Sequence, residues 1–280
     1  MKFVLFERSG AGPGYGIVSG ESVFPLEQLL IGETPQEQLQ YLIDSFDALR
    51  PRLETLLATG GSIPLSELRL LPRVPRPSKI VLTTATYDAS AQTPALLATL
   101  KSAESVIGPG GVVQLPEVDD RWQFVPQAAL GLVIRGSAKD VPAAEWQRAV
   151  FGYTCVIDVM AQGDQLFGRD YWLAKADTLG PLGPCIVTVD EIDDPTRLHV
   201  HSWQNGTPAQ DFLICDASHS IAEQVEFVTM VMTLYSGDVL VCGTNSRGQR
   251  PLGGGDRVKV EIDGIGRLAI NVRVPAGSAA

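Results

Sequence analysis

Apolar and polar positions alternate along much of this chain in steps of two, the period of a half-buried β-strand. MKFVLFE alternates in this way at the start, and GPGYGIVSG reads as a turn followed by a strand. From residue 80 onward short β-type runs recur: IVLTTATY, GGVVQLP, ALGLVIRG, FGYTCVIDVM, PCIVTVDEI, RLHVHSW, DFLICD, GDVLVCGT, DRVKVEID and GRLAINVRV. Gly, Pro and Asp turns separate them, which predicts a β-dominated core. Helical spacing occurs in three places. Residues 34–57 place Leu39, Leu42, Ile43, Phe46, Leu49, Leu53 and Leu56 on one stripe, with Thr34 as cap and Pro35 at the first helical position. Pro51 falls inside that pattern and predicts a break there. PAAEWQRAVFG predicts a second helix. SIAEQVEFVTMVMTLY predicts a third, capped by Ser218 or Ser220. The stretch LPRVPRPSK, residues 71–79, holds three prolines and reads as an extended connector. It divides the chain into a small N-terminal α/β module, residues 1–70, and a main domain, residues 71–280.

Charge and composition narrow the classes. Lys and Arg total 22 against 32 Asp and Glu, a formal net charge of −10. Such a chain lacks the basic surface that phosphates require, so no nucleic-acid partner is expected. Apolar residues at 45% and charged residues at 19% favour a packed core over disorder. No run approaches the roughly 18 apolar residues of a membrane span, and MKFVLFERSGAG lacks the apolar stretch of a secretory signal. The four cysteines, Cys155, Cys185, Cys215 and Cys242, each lie in an apolar run with no two-residue pairing. They read as buried, reduced thiols in strands, which fits a cytoplasmic protein. Of the three histidines, His199 and His201 alternate in RLHVHSW and share one strand face toward solvent. No third ligand stands near them in sequence, which disfavours a metal site. His219 precedes the third helix as a surface or cap residue. No histidine offers itself as a general base.

Several segments, taken in chain order, resemble the fumarylacetoacetate hydrolase family. LLPRVPRPSKIV is similar to the entry into its catalytic domain, and TATY at 84–87 stands where the family has a Gly-Leu-Asn-Tyr turn. VPAAEWQRAVFGYTCVIDV at 141–159, KADTLGPLGPCIVTVDEI at 175–192, NGTPAQ, GDVLVCGTN and GGGDRVKVEIDGIGRLAINV follow in the family's order. The resemblance covers about residues 70–275. It implies an α+β, β-dominated fold: a mixed β-sandwich rolled into a barrel-like assembly, usually homodimeric. It also implies chemistry on 1,3-dicarbonyl or 2-oxo-enol acids, with a divalent metal, often Mg²⁺, on three carboxylates acting as Lewis acid and template.

This chain departs from that pattern. The family's Glu-x-Glu pair of metal ligands falls on Gln127 and Ala129; the third ligand is retained as Asp158. The family's water-activating His and Glu fall on Ser90 and Thr93. No cofactor is therefore expected, with Mg²⁺ only if the degraded site around Asp158 still binds it. The resemblance carries over Lys175, Gln127 and Asp158 as catalytic candidates, with Lys175 as the expected partner of Asp158. It carries over Tyr87, Gln165, Thr178, Gly243, Thr244 and Asn245 as substrate-binding candidates. The expected function is metal-independent isomerisation, decarboxylation, cyclisation or C–C cleavage of an enolisable β-dicarbonyl, 2-oxo-enol or polyketide-like small molecule, by positioning and hydrogen bonding. Two alternatives stand beside it: a conventional Mg²⁺-dependent C–C hydrolase, and a non-catalytic binding protein.

Overall fold

The computed structural model describes residues 1–8, 10–84, 87, 95–118, 121–163 and 172–275. Its strands are β1 (Lys2–Glu7), β2 (Gly14–Ser19), β3 (Ser22–Pro25), β4 (Ile63–Pro64), β5 (Arg69–Leu71), β6 (Ile80–Thr84), β7 (Leu97–Lys101), β8 (Val106–Ile107) and β9 (Val112–Gln114). They continue with β10 (Gln123–Ile134), β11 (Val150–Gln162), β12 (Gly180–Thr188), β13 (His199–Gln204), β14 (Thr207–Leu213), β15 (Val239–Val241), β16 (Arg257–Ile262) and β17 (Gly266–Arg273). The main sheet runs β4-β3-β2-β1-β12-β11-β10-β15-β6-β7, and a second sheet runs β14-β13-β16-β17-β9. The fold is thus the β-dominated, mixed-sheet architecture that the alternation predicts.

The main sheet curls. Lys101 at the end of β7 donates to the Val159 carbonyl on β11 at 3.0 Å, although four strand positions separate the two in sheet order. One core cluster joins the two sheets through β10, β11, β16 and β17. A second packs the helices of the N-terminal segment onto the other face of β1, β11 and β12. Phe3, Phe46 and Phe151 meet there with ring centroids 5.1–6.0 Å apart, in the edge-on and offset arrangements that aromatic rings favour. The N-terminal segment is hydrogen-bonded into the main sheet through β1 and β12, with Phe3 opposite Ile186.

Three sequence expectations change. The helical stretch breaks at Ser45, not Pro51, giving α1 (Pro35–Asp44) and α2 (Phe46–Thr59). Because α2 starts afresh at Phe46, Pro51 loses only its bond to the Asp47 carbonyl, and buried Leu49 and Leu53 hold the turn on either side. PAAEWQRAV forms a 3₁₀ segment, Ala143–Ala149, whose Glu145 N–H bonds the Pro142 carbonyl; β11 begins at Val150, which leaves too few residues for a stable α-helix. The third helix is α3 (Ile221–Val231), with Ser220 and Glu223 in a reciprocal cap. Cys215 is exposed, because β14 ends at Leu213 and the 3₁₀ turn Ile214–Asp216 buries Ile214 and leaves the thiol outside; Cys155, Cys185 and Cys242 are buried as expected. Among the described residues no helix is long and apolar enough to cross a membrane.

The proline-rich connector does more than link. Arg73 is fully buried, and its guanidinium donates to the carbonyls of Leu5, Leu71 and Pro184, joining β1, β5 and β12. Burial without a carboxylate pulls its pKa down to about 10.

Candidate active site

The β10–β11 hairpin builds the floor of the site. Its register sets Gln127 directly opposite Asp158 and Ala129 opposite Val156. Side chains two apart on a strand share a face, so Gln127, Ala129, Asp158 and Met160 open into one cavity of about 640 Å³. Leu82, Thr83, Tyr87, Asp216 and Val241 wall it, and the loop from Gly243 to Arg247 forms its rim. The three positions that the family resemblance assigns to metal ligands therefore face the same space.

The rim loop is pinned by Gln210, a buried residue of β14. Its Oε1 accepts from the Ala128 N–H at 2.9 Å, while its Nε2 donates to Thr244 Oγ1 at 2.9 Å and to the Asn245 carbonyl at 2.5 Å. Thr244 in turn donates to the Ala128 carbonyl at 2.6 Å. The chain turns into this loop at Gly243, whose φ of 67° suits a residue without a β-carbon. Thr244 is thus a positioning residue, with its hydroxyl already engaged. Exposed Arg247 at the mouth of the cavity is the cation best placed to meet an anionic ligand.

Asp158 does not pair with Lys175. Its carboxylate accepts a short hydrogen bond from the Lys101 ammonium, and their side chains are 5% and 2% exposed. The curl of the main sheet brings β7 over β11 and delivers Lys101, which sequence reasoning did not single out. Lys175 instead donates to Thr99 Oγ1 at 2.8 Å and lines a neighbouring apolar groove with Lys101, Leu100 and Trp172. Partial burial and the positive charge of Lys101 pull its pKa down to about 8. Its usual value is 10.5, so the unfolded chain holds this proton more tightly between about pH 8 and 10.5. The resulting destabilisation is present in full below pH 8 and is relieved as pH rises through that window. Wild-type melting temperature should therefore carry an upward contribution between pH 8 and 10 that Lys175→Met removes, measured by thermal melts of both proteins.

Tyr87 packs edge-on against Phe212, with ring centroids 4.9 Å apart, and its buried hydroxyl has no hydrogen-bond partner among the described residues. Burial, with Cys242 and Asp216 nearby, pushes its pKa far above the ordinary value, so it stays a neutral donor. An unpartnered hydroxyl at a cavity wall awaits a ligand acceptor. Tyr87→Phe should leave stability unchanged or raise it by up to about 1 kcal/mol, while slowing turnover about tenfold. Denaturant melts and initial rates on the same samples separate the two effects.

Of the other sequence candidates, Gly243 and Asn245 line the cavity with Thr244. Thr178 lies away from the described lining; its hydroxyl accepts the Gln114 N–H at 2.8 Å. Gln165, Ser90 and Thr93 fall outside the described residues. Sequence reasoning missed Lys101, Gln210 and Arg247. Only Arg247, in a polar loop after GTN, carried a readable signal.

The donor set does not fit the divalent metal that the resemblance implies. A hard cation of this kind is held by several oxygen ligands, with carboxylates supplying the charge. The ligand positions offer one amide, one methyl group and one carboxylate, and the carboxylate is already neutralised by Lys101.

Comparisons with known proteins agree with the motif order. A family model described as fumarylacetoacetate (FAA) hydrolase C-terminal matches residues 83–273. The maleylpyruvate hydrolase of Aquipseudomonas alcaligenes is 31% identical, over 92% of this chain and 96% of that one. An oxaloacetate tautomerase of Bacillus subtilis is 32% identical, over 73% of each. The solved structure of a maleylpyruvate hydrolase from Sphingobium sp. SYK-6, in complex with manganese (II) ion and pyruvate, superposes with a TM-score of 0.87 at 29% identity. It covers 99% of this chain and all of its own.

Proposed function

Because the chain belongs to the fumarylacetoacetate hydrolase family, we propose that it acts on a small 2-oxo acid or 1,3-dicarbonyl compound and interconverts its keto and enol forms without a metal. The observation that carries this reading is the Lys101 ammonium on Asp158. The positive charge beside the retained carboxylate is built into the chain. Keto–enol exchange suits such a site because it moves one proton and needs no activated water. The positions of the family's water-activating pair hold Ser90 and Thr93 in this sequence.

In this mechanism Arg247 meets the substrate carboxylate at the cavity mouth. The Gln127 amide and the Tyr87 hydroxyl donate to the oxo oxygen, where negative charge develops. Asp158 removes the proton from the carbon beside the carbonyl; the C–H electron pair becomes the C=C bond and the carbonyl π pair moves to oxygen. Asp158 then returns the proton to that oxygen. Lys101 compensates the carboxylate charge throughout. Oxaloacetate, the substrate in the name of one relative, is the first compound to assay. The exposed apolar residues Leu100, Trp172 and Val231, which line one groove, support a homodimer, the assembly that the resemblance implies.

A second reading, a metal-dependent hydrolase, has its support in the similarity to the manganese and pyruvate complex. One assay separates the two. Ketonisation of enol-oxaloacetate should proceed undiminished in excess EDTA and fall about 10²–10⁴-fold in Asp158→Asn, the range for loss of a general base. Turnover abolished by EDTA and restored by Mn²⁺ would establish the second reading instead.

A further inference from the structure

Pairing of β13 with β14 assembles a cluster on the outer face of the second sheet. His199, His201 and Trp203 alternate on the solvent side of β13, while Val200, Ser202 and Gln204 face inward. The register sets Asp211 of β14 directly across from His201. Asp211 Oδ1 hydrogen-bonds His199 Nε2 and lies 3.6 Å from His201 Nδ1. The two imidazoles are 4.0 Å apart between ring centroids. One ligand atom from each residue falls within 4.8 Å of the others. Asp211 is thus the third partner absent from the sequence neighbourhood of the histidines: ten residues away along the chain, it is adjacent across the sheet.

We propose that His199, His201 and Asp211 bind a late first-row divalent metal ion of the Zn²⁺ or Ni²⁺ class. Two neutral imidazoles and one carboxylate are the donor types these ions prefer, and they discriminate against Mg²⁺ and Mn²⁺. Ligands at roughly 2.0–2.1 Å from a tetrahedral ion stand about 3.3–3.4 Å apart. The observed separations bracket that spacing: the direct His199–Asp211 hydrogen bond must open and the wider separations, none above 4.8 Å, must close, through side chains that are about one-third exposed at the histidines and more so at Asp211. The open side of the cluster leaves room for water as a fourth ligand. Glu261, across from His201 on β16, has its carboxylate on Arg267 at 2.8 Å and stays outside the ligand set. The ion would join edge strand β14 to β13, so its binding should stabilise the second sheet.

Calorimetric titration of the full chain with ZnCl₂ and with NiCl₂ tests this. One equivalent should bind, and His201→Ala or Asp211→Asn should each weaken it at least about tenfold, as even outer-shell losses do at metal sites. Zn²⁺ should also raise the wild-type melting temperature and leave that of His201→Ala unmoved. Exposed Cys215 is the competing thiol, so Cys215→Ser serves as control and should bind normally. Absence of binding by the wild type at micromolar metal overturns the proposal. So does binding lost in Cys215→Ser and retained in His201→Ala.

Discussion

Replacing Lys101 with methionine is expected to cost about 3–5 kcal/mol of stability, because it leaves the Asp158 carboxylate buried without its cation. At this chain length that corresponds to a fall of about 10 °C in melting temperature. The methylene stem is preserved, so the loss reports the charge and not a cavity. Removing both charges together, as Lys101→Met with Asp158→Leu, should recover most of the stability, since a paired charge and its hydrophobic replacement differ little in net energy. The double variant should nonetheless be inactive, for it lacks the base. Denaturant midpoints and enol-oxaloacetate rates for the wild type, both single variants and the double variant complete the cycle. A Lys101→Met protein with an unshifted midpoint would show that the pair does not form in solution.

The second large effect is a gain. Gln127→Glu combined with Ala129→Glu gives the cavity three carboxylates at positions that already face one another. Without metal they repel, and the variant should melt below the wild type. With Mn²⁺ at 100 times the dissociation constant, binding should return about 2.7 kcal/mol, a rise of ~5–10 °C. Wild-type melting should not respond to the same Mn²⁺ concentration, and the surface histidines offer Mn²⁺ the weakest binding in the divalent series. A rebuilt variant whose melting ignores Mn²⁺ would mean that these side chains do not converge on one point.

What could be read in advance follows the range of the interaction. Most of the longer strands were legible because alternation is local, and the start of α1 because Thr34 and Pro35 mark it. Gln127 and Asp158 were legible because motif order locates them. Lys101 was not. Its strand leaves Leu97 and Leu100 exposed and buries the lysine, the reverse of the usual assignment. Only the curl of a sheet whose paired strands are far apart in sequence explains that burial. Arg73 was hidden in the same way: in LPRVPRPSK it looks like one of three solvated cations, yet its partners are carbonyls on strands far along the chain. Asp211 joined the histidines only when β14 was laid against β13.

The pairing of β1 with β12 also sets a timetable for synthesis. Phe3 leaves the ribosome long before its partner Ile186, which follows only after the whole β10–β11 hairpin. Until then β1 can pair only with its near neighbours β2 and β5, leaving one strand edge and the ring of Phe3 uncovered. Long-range pairing of this kind folds slowly and exposes sticky edges in the meantime. The nascent N-terminal segment therefore keeps an apolar edge exposed during synthesis, and expression at low temperature, where apolar association weakens, is the condition under which this chain should aggregate least.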